Sequence, residues 1–101
     1  MPKAANPLPK RLKAARQEAG LSQKALGIAA GVDEFVASAR MNQYERGVHA
    51  PDYTMTKRLA RALSVPTAYL YADDDADAEL LLAFRGLSET ARRKLLKSLC
   101  R

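Results

Sequence analysis

Glycines divide the chain into short segments, and each segment has the apolar spacing of an α-helix. Four of the five glycines stand at positions 20, 31, 47 and 86, at intervals typical of helix ends. In the first segment Leu8, Leu12 and Ala15 recur at i, i+4 and i+7, which predicts a helix over residues 8–19. No segment alternates β-branched and polar residues as a strand would. The pattern therefore predicts an all-α fold.

Residues that favour helix starts and ends locate the next helices along the chain. Ser22 is a good N-cap for a second helix that ends at Gly31. A third helix ends at "YERG" with Gly47 as its C-cap. Two starts are open for it, because Asp33 could cap it or "DEFV" could form a longer turn that leads into Ser38.

Two more helices and an acidic boundary follow. A fourth helix runs over about residues 52–63, and Pro66 opens a short fifth helix in which Tyr69 and Tyr71 are expected to pack on the core. The acidic stretch "ADDDADAE" marks a boundary near Ala72. Beyond it, leucines at helical spacing predict two helices separated by Gly86. We therefore divide the chain into a domain over residues 8–72 and a C-terminal helical extension over residues 73–101.

The charge is uneven along the sequence. The whole net charge of +6 lies in residues 1–72, and residues 73–101 are neutral. A basic domain favours a polyanion partner, with nucleic acid ahead of a membrane, although a solubilising surface is the open alternative. No apolar run approaches the roughly 20 residues of a membrane span, so no membrane partner is expected.

Few residues suit catalysis or metal binding. His49 is the single histidine and has no cysteine nearby, so no metal site is expected. No nucleophile–base arrangement, phosphate loop or pocketed carboxylate pair is visible, so we expect neither an enzyme nor a cofactor. Cys100 is the single cysteine, which rules out a disulfide within this chain and favours a reducing, cytoplasmic location.

The third helix has an unusual outer face. Ala37, Met41 and Tyr44 share the side expected in the core. The opposite side and its flanks carry small, amide and guanidinium groups where a solvated helix would have Glu and Lys: Ser38, Ala39, Arg40, Asn42, Gln43 and Arg46. Amides and guanidinium groups match base edges in the DNA major groove, and small residues allow close approach. A partly exposed helix of low-propensity residues is the alternative.

Glu45 lies at the edge of the predicted core face, four residues after Met41. Arg16 has the same position relative to Leu12 in the first helix. A half-buried carboxylate needs a partner, so we predict an Arg16–Glu45 ion pair that joins the first and third helices.

Several motifs in order carry a family resemblance. The sequence "LKAARQEAGLSQKALGIAAGV", then "NQYERG", then "TKRLARALSVPTAYLY", resembles the DNA-binding domain of Cro and phage-repressor-type helix-turn-helix regulators, the xenobiotic-response-element family. The resemblance covers about two-thirds of the chain. It implies a five-helix domain, with the third helix in the major groove.

The resemblance also implies roles for individual residues. It implies base reading by Ser38, Ala39, Arg40, Asn42 and Gln43, and phosphate contacts by Gln23, Lys24, Arg46 and His49. Two features depart from the family. The four residues "DEFV" lengthen the connection before the third helix, and Gly27 replaces the usual alanine.

The expected function is a sequence-specific DNA-binding regulator. We expect a repressor that occupies double-stranded DNA as a homodimer, with the extension as a possible dimerisation or partner surface. The alternatives are the antitoxin of a toxin–antitoxin pair, whose extension would bind the toxin, and a protein-interaction adaptor that does not read DNA.

Overall fold

The computed structural model describes residues 6–100, so Arg101 of the extension lies outside the described residues. This part of the chain contains seven α-helices and no strand. They are α1 (Leu8–Glu18), α2 (Gln23–Ala29), α3 (Ala37–Glu45), α4 (Tyr53–Leu63), α5 (Thr67–Leu70), α6 (Asp75–Arg85) and α7 (Glu89–Leu99). The prediction of an all-α fold with five helices and a helical extension is confirmed.

Side-chain caps begin the helices where the sequence predicts them. The Ser22 hydroxyl accepts a 2.9 Å hydrogen bond from the Ala25 amide at the start of α2. The Asp52 carboxylate accepts one of 2.8 Å from Met55 at the start of α4. Each cap pairs one of the amides that the first turn of a helix leaves free. Local sequence thus fixes where these two helices begin.

The start of α3 decides between the two alternatives left open. The Asp33 carboxylate does not cap α3. It accepts a 2.8 Å bond from the Phe35 amide, and the Asp33 carbonyl accepts a 3.1 Å bond from Val36. Residues 33–36 therefore form a closed turn, which we call the entry turn, and α3 begins immediately after it at Ala37. The longer-turn interpretation is correct.

One large side chain from each of the first five helices is fully buried at the centre of the domain. These side chains are Leu12, Leu26, Met41, Leu59 and Leu70. Helix α6 adds Ala78 to the same core, whereas α7 contributes no buried residue. Tyr69 is buried as expected. The expectation for Tyr71 is wrong, because it lies at the C-cap of the four-residue α5 and is exposed.

Arg11 ties the extension to α1. Its Nε donates to the Ala72 carbonyl at 2.9 Å, and its guanidinium lies 2.9 Å from the Asp75 carboxylate. The hydrogen bond from Arg11, together with the positive charge of Lys10, holds the pKa of Asp75 below its usual value. The backbone between α5 and α6 is therefore fixed by a buried cation from the first helix.

Helices α2 and α3 are in unusually close contact at Gly27. A Cβ atom on Gly27 would lie 2.7 Å from the Cβ of Ala37 and 3.1 Å from its Cα. Backbone atoms cannot move aside as a flexible side chain can. The glycine that replaces the family's alanine therefore allows the two helices to pack at this distance.

We expect Gly27→Ala to lower the free energy of unfolding by about 1 kcal/mol. Overpacking costs about 1–3 kcal/mol, and the better helix propensity of alanine returns only about 1 kcal/mol. The energetic coupling between positions 27 and 37 is measured by thermal unfolding of Gly27→Ala, Ala37→Gly and the double variant. The double variant should be more stable than the two single changes together predict, and strict additivity would contradict the contact.

No helix within residues 6–100 combines the length and the apolar character needed to cross a membrane.

Candidate nucleic-acid interface

Helix α3 presents the two faces that its sequence predicts. Ala37, Met41 and Tyr44 are buried against the core. Of the residues predicted to read bases, Ser38, Ala39 and Arg40 are exposed, whereas Asn42 and Gln43 are half-buried. The exposed face thus has small side chains in the first turn and larger polar groups after them.

The ion pair predicted between Arg16 and Glu45 is present. Arg16 Nε donates to Glu45 Oε2 at 2.6 Å and Nη2 donates to Oε1 at 3.1 Å, which makes the pair bidentate. The Glu45 side chain is 4% exposed and that of Arg16 is 14% exposed. The hydrogen bond to Glu45 raises the pKa of the Arg16 guanidinium, and its Nη1 donates to the Leu21 carbonyl at 2.9 Å. The pair therefore fixes α3 against α1 and the start of α2.

Gln23 joins this pair from the first turn of α2. Its Nε2 donates to Glu45 Oε1 at 3.2 Å and to Asn42 Oδ1 at 3.4 Å. The amide nitrogen is the group that would donate to a phosphate, and both of its hydrogens have acceptors within the protein. A phosphate contact by Gln23 would therefore replace one of these bonds. Beyond the Arg16–Glu45 pair, nothing in the sequence indicates this network of four residues.

The other residues predicted to contact phosphate lie at the ends of the helix-turn-helix. Lys24 is exposed in the first turn of α2, Arg46 is the exposed C-cap of α3, and His49 is exposed in the loop after it. Within residues 6–100, none of the three takes part in an ion pair. Their charges or donors are therefore available to solvent.

Arg58 of α4 is an additional cation beside this surface. A Cβ on Gly31 would lie 3.8 Å from Arg58 Nη1, and Arg58 lines the same open cleft as Arg40. Helical spacing shows only that Arg58 points away from the apolar stripe of α4. The spacing does not indicate that the side chain reaches the connection between α2 and α3.

Part of the basic charge near the start of the chain is used inside the molecule. Arg16 pairs with Glu45, and both Lys10 and Arg11 pair with Asp75. Arg11 and Arg16 are largely buried and cannot be counted toward a polyanion surface, whereas Lys10 stays 60% exposed. Other exposed cations are found on α2, α3 and α4.

Comparisons with known proteins identify the family of the domain. The family model described as the helix-turn-helix domain matches residues 8–70. The crystal structure of the transcriptional regulator BswR is 49% identical in sequence, superposes with a TM-score of 0.85, and the match covers 90% of each chain. No curated protein matches the chain in sequence.

Proposed function

Because the chain belongs to the helix-turn-helix domain family, we propose that it is a sequence-specific DNA-binding transcriptional regulator whose α3 enters the major groove. The observation that carries this proposal is the exposed face of α3. That face has small side chains in its first turn and polar groups beyond them, and a buried bidentate ion pair fixes it to the domain. A solvated surface helix would need no such support.

Base reading is assigned to the exposed and half-exposed side chains of α3. Arg40 suits guanine, and the amides of Asn42 and Gln43 suit adenine. Ser38 and Ala39 are small enough to let the first turn reach the floor of the groove. These residues determine which sequence is bound, and their positions follow from the phase of a helix whose opposite face is buried.

Phosphate contacts are assigned to groups at the start of α2 and after the end of α3. Lys24 and Gln23 stand at the start of α2, and Arg46 and His49 follow the end of α3. Such contacts set the position of the protein on the duplex but carry no sequence information. Arg58 extends the positive surface on the side of α4.

We also propose that the protein is of the Cro and phage-repressor type and acts as a homodimer that represses by occupying an operator. The extension supports a second copy because its leucines remain uncovered within the described chain. These are Leu80, Leu82, Leu87, Leu96 and Leu99. A domain of this size gains stability by burying such residues between copies, and a two-fold dimer reads two half-sites about 34–36 Å apart.

Selection of bound duplexes from random-sequence DNA tests the proposal. We expect a consensus with two inverted half-sites whose centres lie one helical turn apart. Affinity for the selected duplex should fall with salt at a log–log slope of about −0.9 per phosphate contacted. An adaptor would select no sequence at any salt concentration, and an unpaired consensus would refute the homodimer while leaving DNA reading intact.

A further inference from the structure

Phe35 is the most exposed large apolar side chain of the described residues, with 88% of its surface open to solvent. It stands in the entry turn, directly before α3. The turn is closed by two hydrogen bonds to Asp33, one of which is made by the amide of Phe35 itself. The ring is therefore held out in solvent by an ordered backbone.

Phe35 stands at the end of α3 that carries the small residues. It precedes the N-cap Val36 and comes three and four residues before Ser38 and Ala39, both of which are exposed. Phe35 is therefore placed at the start of the proposed base-reading helix, in the turn rather than in the helix itself.

The chemistry of the entry turn suits base edges better than phosphates. Asp33 and Glu34 are acidic, so the turn has no cation to offer the DNA backbone. Both acids are exposed, and the exposed apolar side chains of the turn are those of Phe35 and Val36. The apolar group that the major groove displays is the C5-methyl group of thymine, and a phenyl ring is one of its usual protein contacts.

We propose that Phe35 is a further base-contacting residue whose ring packs on a thymine methyl group at the end of the groove nearest the N-terminus of α3. This inference rests on the proposed DNA-binding function. The residues that follow the turn at the start of α3, Ser38 and Ala39, are small and exposed. Phe35 would then add sequence preference at a base pair outside the span of α3.

The experiment compares wild type and Phe35→Ser on the duplex that the wild-type protein selects from random DNA. A second set of duplexes carries deoxyuridine in place of one thymine at a time, which removes a single methyl group. One such replacement should weaken wild-type binding about fourfold, the value of one buried methyl group. Phe35→Ser should bind the original duplex about tenfold more weakly than wild type and should be insensitive to that same replacement.

Tyr71→Ser is the matched control, because Tyr71 is also an exposed aromatic residue but follows α5. It should bind every duplex as the wild type does. The inference is overturned, while the proposed function stands, if Phe35→Ser binds the original duplex as tightly as wild type does. It is also overturned if both proteins are equally sensitive to the uracil replacement. Loss of self-association by Phe35→Ser with unchanged DNA affinity would make the turn a contact between copies and also overturns it. If the wild-type protein selects no duplex, the proposed function fails and the inference fails with it.

Discussion

Replacement of Glu45 by alanine is expected to lower the free energy of unfolding by about 3 kcal/mol. The change leaves the Arg16 guanidinium, 14% exposed, with the Leu21 carbonyl as its remaining hydrogen-bond acceptor. Removal of one partner from a buried pair typically costs about 3–5 kcal/mol, because the other charge stays buried without compensation. The melting temperature of a domain this small should fall by about 10 °C or more, as measured by circular dichroism.

Glu89→Ala provides the control for this variant. Glu89 also forms a hydrogen-bonded ion pair, with Arg93 at 2.8 Å, but both side chains are about three-quarters exposed. Exposed pairs contribute little and are screened by salt, so its melting temperature should barely change. The lower melting temperature of Glu45→Ala should persist at high salt. Equal melting of Glu45→Ala and wild type would mean that the pair does not support α3.

Gln43→Ala is expected to remove the preference for one base pair of the selected duplex, a loss of about 1–3 kcal/mol in discrimination. The amide of Gln43 makes no side-chain hydrogen bond within the described residues and is free to face DNA. Fluorescence anisotropy on the selected duplex and on its single-base variants measures the loss. Binding to unrelated DNA should stay as in the wild type, because that binding depends on phosphate contacts.

Gln17→Ala is the matched control, since Gln17 is an exposed glutamine on α1. It should leave both affinity and base preference unchanged. If Gln43→Ala instead weakens every sequence by the same factor, α3 is oriented differently from the proposal and Gln43 acts as a phosphate contact.

Features that depend on near neighbours in sequence were predictable. Ser22 and Asp52 begin their helices because a cap is made within three residues. Gly47 ends α3 for an equally local reason, since its φ of +74° suits glycine and lets the Val48 amide reach the Gln43 carbonyl at 3.0 Å. The start of α3 was ambiguous because Val36 offers no capping side chain, and the acid that could have capped the helix closes the entry turn instead.

Features that depend on distant parts of the chain were predictable only where burial demanded a partner. The half-buried carboxylate of Glu45 needed a positive partner, and this requirement predicted the pair with Arg16, 29 residues away. Nothing in the sequence indicated that Arg11 would meet the carbonyl of Ala72, because any exposed acid or solvent could have satisfied that cation. The same holds for Arg58, whose neighbours follow from how α4 crosses α2.

The anchor made by Arg11 separates two properties that a DNA-reading dimer must control. In the proposed dimer the side chains of α3 would choose the bases, whereas the direction in which α6 leaves the domain would set the distance between two copies joined through their extensions. That direction is held by one guanidinium on the Ala72 carbonyl and the Asp75 carboxylate. Operator spacing could therefore be altered at this junction, by mutation or by engineering, while the recognised bases stay the same.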